Sequence, residues 1–288
     1  LQPFADLLKF VFKEIIIPAK ASKAVFFLAP AVILICALAT WAVVPFSPEL
    51  YFTNVNAGVL YVTAIGSLGI YGIILAGWAG NSKYSFLGGI RATAQMISYE
   101  LAMGLALLSI IMMSGSLDLK VIAESQSGWN GMKWNILFQP LAFIIFLVAA
   151  LAETNRAPFD LAECETELVG GFHTEYSAMK LGLFLFGEYV NMFISSALIT
   201  TLFLGSYNFP GMNSLGLSEN VLGIISILVF LGKTFCVILL FMWIRWTLPR
   251  FRYDQLMHLG WKSLIPLALL NLLITGAVIL LNQHYQWI

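Results

Sequence analysis

Charge is what this sequence has least of. Only 10% of its 288 residues are Asp, Glu, Lys or Arg while 60% are hydrophobic, a balance far outside the range of soluble domains. Acidic and basic residues number 15 each, so the net charge is zero, and no basic patch offers a footprint for nucleic acid. Cysteine is equally sparse: Cys36 and Cys236 fall inside apolar runs and Cys164 in an acidic stretch, from which no disulfide or metal framework follows. His173, His258 and His284 lie far apart, without the spacing of zinc or iron-sulfur ligands. Phosphate loops, dinucleotide fingerprints and nucleophile elbows are missing, as are internal repeats. The chain alone is therefore expected to bind no redox cofactor and no metal.

Long apolar runs are what the sequence does have. Seven of them cover residues 25–46, 57–78, 92–114, 135–152, 178–205, 221–245 and 264–282. At a helical rise of about 1.5 Å per residue, each approaches or exceeds a hydrocarbon core about 30 Å thick. The runs are continuously apolar instead of alternating, and in lipid a helix satisfies its own backbone hydrogen bonds. The expected fold is an all-α polytopic membrane protein with seven transmembrane helices in a single domain, residues 1–288.

The first residues lack the basic start, apolar core and cleavage site of a signal peptide. Residues 1–17 instead place Phe4, Leu7, Leu8, Val11 and Ile15 at spacings of three and four, with Asp6, Lys9, Lys13 and Glu14 on other faces. This predicts an amphipathic helix lying in the membrane interface; a frayed tail would leave that stripe in water. Of the basic residues, 12 fall on one side of the predicted membrane, only Lys120 and Lys133 on the other, and Lys233 within the sixth run. Basic loops stay cytoplasmic during insertion, so the chain starts there and ends outside; a bacterial plasma membrane is the expected location.

Ionisable groups at membrane depth carry the chemistry. Glu100 lies about 12 Å into the third run and Glu188 about 15 Å into the fifth, counted along the helix. A carboxylate is costly in hydrocarbon, so both should face a protein interior or a water-filled cavity, as proton carriers or as structural hydrogen bonds between helices. Asn191 and Ser195 share the face of Glu188 and extend a polar stripe that could order water. Lys233 can serve as an ionic or proton-exchanging partner, with snorkelling or a purely structural ion pair equally open.

The densest polar cluster is residues 153–177, predicted to be a cytoplasmic loop. It holds Glu153, Asp160, Glu163, Glu165, Glu167 and Glu175 with a single base, Arg156, before Lys180. Pro158 breaks the chain, Asp160 can cap a short helix answered by Glu163, and Gly170 and Gly171 can end it. Apolar Phe159, Leu161, Leu168, Val169 and Phe172 interleave with the charges. A merely solvated face would not need them, so the loop reads as a docking surface or cavity lining.

The run ETNRAPFDLAECETELVGGFHTEYSAMK, residues 153–180, resembles the signature of the H-type, quinone-site membrane subunit of proton-pumping NADH:quinone oxidoreductase, respiratory complex I. LQPFAD at Leu1, GGIRATAQMISYE at Gly88, GLFLFGEYVN at Gly182 and WIRWTLPRFRYDQLM at Trp243 match in the same order, so the resemblance covers essentially the whole chain. Ala162, Cys164 and Leu181 depart mildly from the family's usual Pro, Ala and Phe. The family carries one more transmembrane helix before LQPFAD, which helps frame quinone entry.

The resemblance implies a subunit that anchors the peripheral arm and forms the membrane end of a quinone chamber. Quinone is then the substrate, with FMN and iron-sulfur clusters in partner subunits: the iron-sulfur and quinone-binding subunits of the arm and neighbouring small membrane subunits. It further implies coupling of quinone reduction to proton translocation through Glu100, Glu153 and Glu188, with Arg156, Asp160, Glu163, Glu165, Glu167 and Glu175 in the chamber and coupling loop. A related membrane-bound hydrogenase subunit and an ion-coupled secondary transporter are the alternatives; a transporter would be expected to show repeats and helices broken at the midplane.

Overall fold

The computed structural model describes residues 2–160, 169–212 and 219–285, and every regular element among them is helical. The first, α1 (Gln2–Phe12), is followed by α2 (Lys23–Thr40), α3 (Gly58–Ala79) and α4 (Lys83–Ser114). Three short helices, α5 (Leu119–Ser125), α6 (Gly128–Gly131) and α7 (Asn135–Phe138), lead into α8 (Pro140–Glu153). After the acidic segment come α9 (Ala178–Phe203), α10 (Glu219–Thr247), α11 (Tyr253–His258), a π turn over Leu259–Leu264 and α12 (Ile265–Tyr285). Six of the expected seven spans are helices long and apolar enough to cross a membrane, so this is a polytopic integral membrane protein.

The remaining expected span, near 135–152, is built differently. Pro140 cannot donate a backbone hydrogen bond, so α7 stops and α8 starts afresh beyond Gln139. With 14 residues, α8 is about 21 Å long, short of a full crossing. The break is satisfied internally: the Gln139 amide donates to Thr275 Oγ1 at 2.9 Å and accepts from Asn271 Nδ2 at 3.0 Å, both on α12. Irregular backbone at membrane depth requires such partners.

The third span also differs from expectation, since α4 begins at Lys83 and not near Ala92. Its 32 residues extend for about 48 Å, so more than two turns at the Lys83 end exceed the hydrocarbon. At the other end Gly115, with φ 71°, takes the left-handed conformation that stops the helix. Around α4 pack α3, α8 and α12, while α9 packs on α2 and α10, and α1 lies against α9. Small residues allow close crossings: a Cβ on Gly77 of α3 would fall 2.9 Å from the Ser85 carbonyl and 3.2 Å from Gly89 Cα on α4. On α1, Phe4, Leu7, Leu8 and Val11 are exposed together, the stripe expected of an interfacial helix.

Candidate functional site

The helices leave an internal cavity of about 70 Å³ between α2, α3, α4, α8 and α9. Glu100 from α4, Glu153 from the end of α8 and Glu188 from α9 all line it. Thr63, Asn191 and Ser195 add polar atoms, so the stripe beyond Glu188 opens onto this space. Each acid is placed by a specific contact. Ser67 of α3 donates a short hydrogen bond to Glu100 Oε1. Beside it, Gly66 leaves room for Glu153: a Cβ there would lie 3.4 Å from Glu153 Oε1. Glu100 and Glu153 thus meet adjacent residues of α3.

Glu188 is held from the loop. The Arg156 guanidinium lies 2.8 Å from Glu188 Oε2, with only 13% and 10% of the two side chains exposed. Arg156 also sits over the Tyr189 ring at 4.8 Å. The turn carrying Arg156 is over-determined. Asn155 takes a left-handed backbone (φ 50°), which Asn tolerates better than most residues, and its amide reaches Met96 Sδ at 3.6 Å. From α4, fully buried Gln95 donates to the carbonyls of both Ala152 and Phe159 at 2.8 Å, fastening the two ends of the turn together.

A second clamp comes from the chain after α10. Arg250 pairs with Asp160 Oδ2 at 2.9 Å, the Phe251 amide donates to the Pro158 carbonyl at 3.1 Å, and the Phe251 and Phe159 rings stack 5.5 Å apart. Arg252, by contrast, forms an exposed pair with Asp254 at 3.5 Å. The other end of the acidic segment rests on the overhang of α4, where Ser85 donates to the Phe172 carbonyl at 2.9 Å. Glu175 packs its stem against Gly80, where a Cβ would come within 3.0 Å, and is not among the cavity's lining residues. Glu163, Glu165 and Glu167, with the helix expected after Asp160, lie outside the described residues.

Among the described residues, Lys233 meets no carboxylate. Its ammonium donates to the carbonyls of Leu204, Ser206 and Asn208 at 2.7, 3.0 and 2.5 Å, main-chain partners that none of the readings left open by the sequence had named. Among the described residues, no three His, Cys, Asp or Glu side chains gather closely enough to hold a metal ion.

Sequence reasoning missed the Arg156–Glu188 pair, the Ser67 contact and the fastening by Gln95. Only the first left a signal, a lone base in an acidic stretch together with an acid deep in a later helix.

Comparison with known proteins identifies the relatives. Residues 1–276 match the family described as NADH dehydrogenase. An H-type NADH-quinone oxidoreductase subunit of Cytophaga hutchinsonii is 52% identical over 98% of this chain and 84% of its own length. The H-type NADH-quinone oxidoreductase subunit of Flavobacterium johnsoniae is 50% identical over 97% of this chain and 82% of its own. "NADH-quinone oxidoreductase subunit 8" of Rhodothermus marinus is 50% identical over 95% and 82%. With the match running from α1 well into α12, this chain belongs to the NADH dehydrogenase family.

Proposed function

We propose that this chain is the quinone-site membrane subunit of a proton-translocating NADH:quinone oxidoreductase. In this reading residues 153–177 lie on the cytoplasmic side and form part of the quinone chamber, and Glu100, Glu153 and Glu188 carry the coupling to proton movement. The names of the relatives supply the substrates, and the distribution of basic residues supplies the orientation. The observation that carries the coupling is the nearly buried Arg156–Glu188 pair, which ties the loop to the cavity.

Electrons reach the quinone from partner subunits of the peripheral arm that hold FMN and iron-sulfur clusters. Quinone takes up two electrons and two protons to become quinol, and until protonation is complete the chamber gains negative charge. Added negative charge beside the loop competes with Glu188 for Arg156. Asp160, Glu163, Glu165, Glu167 and Glu175 set the acidic field in which that competition occurs. Separating a buried pair costs about 3–5 kcal/mol when one charge is left unpaired, so a released Glu188 takes a proton instead. Asn191, Ser195 and water in the cavity offer a path from Glu188 towards Glu153 and Glu100; a volume of about 70 Å³ is room for several waters. Closely spaced buried carboxylates cannot all be ionised, so each proton that moves shifts its neighbours.

Glu188→Gln and Glu153→Gln test this in the assembled complex reconstituted into vesicles. Proton translocation is expected to fall at least about a hundred-fold, the low end of what a proton-transferring group contributes. Fully assembled variants that reduce quinone and pump at normal rates would contradict the relay.

A further inference from the structure

One buried cation takes no part in this scheme. Lys180, in the first turn of α9, is only 5% exposed, and among the described residues its Nζ has no hydrogen-bond acceptor and no acidic partner. What surrounds the ammonium is aromatic: Phe26 at 4.4 Å and Phe27 at 3.4 Å from Nζ to ring centroid. Ring faces attract an ammonium, but they offset only part of what it loses on leaving water. Phe26 is a fixed wall, since Tyr176 stacks on it at 4.0 Å. Phe27 is a movable one, 53% exposed on the outside of α2.

The surroundings place this cage at headgroup depth. Both α2 and α9 begin here, on the basic side of the molecule. Interfacial α1 lies alongside, with Phe10 against Gly182, and the Ile16 amide after α1 donates to Ser177 Oγ at 3.0 Å. Lys23 opens α2 four residues before Phe27, on the same helix face, is exposed, and also has no acidic partner among the described residues. Two lysines without anions therefore flank one exposed ring at the edge of the bilayer.

We propose that Lys180 and Lys23 bind the phosphate of an anionic phospholipid from the leaflet on the basic side, with Phe27 swinging aside to admit it. The lipid is favoured over free phosphate because Phe27 and the apolar face of α1 would pack against acyl chains next to the charge. The site is separate from the cavity of the three glutamates, whose lining includes neither lysine.

Photolabelling tests the assignment in the assembled complex, held in bilayers of phosphatidylglycerol bearing a headgroup photoreactive group. Adducts are expected on peptides spanning residues 20–27 and 176–182. Lys180→Met or Lys23→Gln should each lower them about five-fold, the weight of one surface lysine towards an anionic membrane. Lys13→Gln, on another face of the interfacial segment, should leave them unchanged, and Phe27→Ala, which uncovers the ammonium, should raise them. A phosphatidylcholine probe should label these peptides less, and inorganic phosphate should not compete. Wild-type adducts confined to other helices would overturn the proposal, as would labelling indifferent to Lys180→Met. So would displacement by inorganic phosphate, which points to a free anion, or a carbodiimide cross-link from Lys180 to a carboxylate of a neighbouring subunit.

Discussion

Lys233 puts an ammonium in the interior of α10, and each of its three protons meets a main-chain carbonyl of the turn after α9. That turn needs a donor, because Gly205 and Ser206 both take positive φ and leave the helical path. Lys233→Met removes the donors from three carbonyls at once; at about 1–3 kcal/mol for a buried unsatisfied group, a loss of about 3 kcal/mol is expected. Thermal unfolding of the purified protein measures it. Unchanged stability with lost proton pumping would mean that Lys233 carries protons after all. Glu188 shows the contrasting case. Its depth in the membrane was legible from helix length alone, but its partner was not, since Arg156 is brought to it by a turn whose shape depends on Gln95 and Asn155, more than fifty residues from one another.

Among the elements, α4 organises the site. Hydropathy locates its apolar part but not its beginning, because the stretch from Lys83 to Arg91 is too polar to read as a span and helical all the same. That overhang carries Gly88, where a Cβ would lie 2.8 Å from the Gly171 backbone. Gly88→Ala sets two effects against each other: alanine favours helix by about 1 kcal/mol, while forcing a methyl into packed backbone costs about 1–3 kcal/mol. The backbone of residues 171–172 cannot yield as a side-chain tip can, so net destabilisation and faster proteolytic cleavage near residue 171 are expected. A stabilised, protease-resistant variant would show that the contact is looser than described. The break between α7 and α8 was hidden from the sequence for a related reason. Pro140 permits it, but Asn271 and Thr275, more than a hundred residues away, supply the partners that let Gln139 sit there.

At the scale of the molecule, six of the seven apolar spans, the amphipathic first helix and the acids within apolar runs follow from hydropathy and helical periodicity, which depend on near neighbours along the chain. Which groups meet across the bundle depends on packing among helices distant in sequence, and no period records it. Here that packing gives one loop base to one membrane acid at a mostly apolar cavity that three carboxylates line, and the coupling account rests on this junction. A double-mutant cycle tests it most directly: Arg156→Met, Glu188→Gln and the double variant, each assembled and reconstituted, with protons translocated per quinone reduced as the readout. Residues that act through one another give non-additive effects, so both single variants should lower the ratio and the double should be no worse than the lower of the two. Normal pumping by Arg156→Met, or losses that simply multiply in the double variant, would contradict the account.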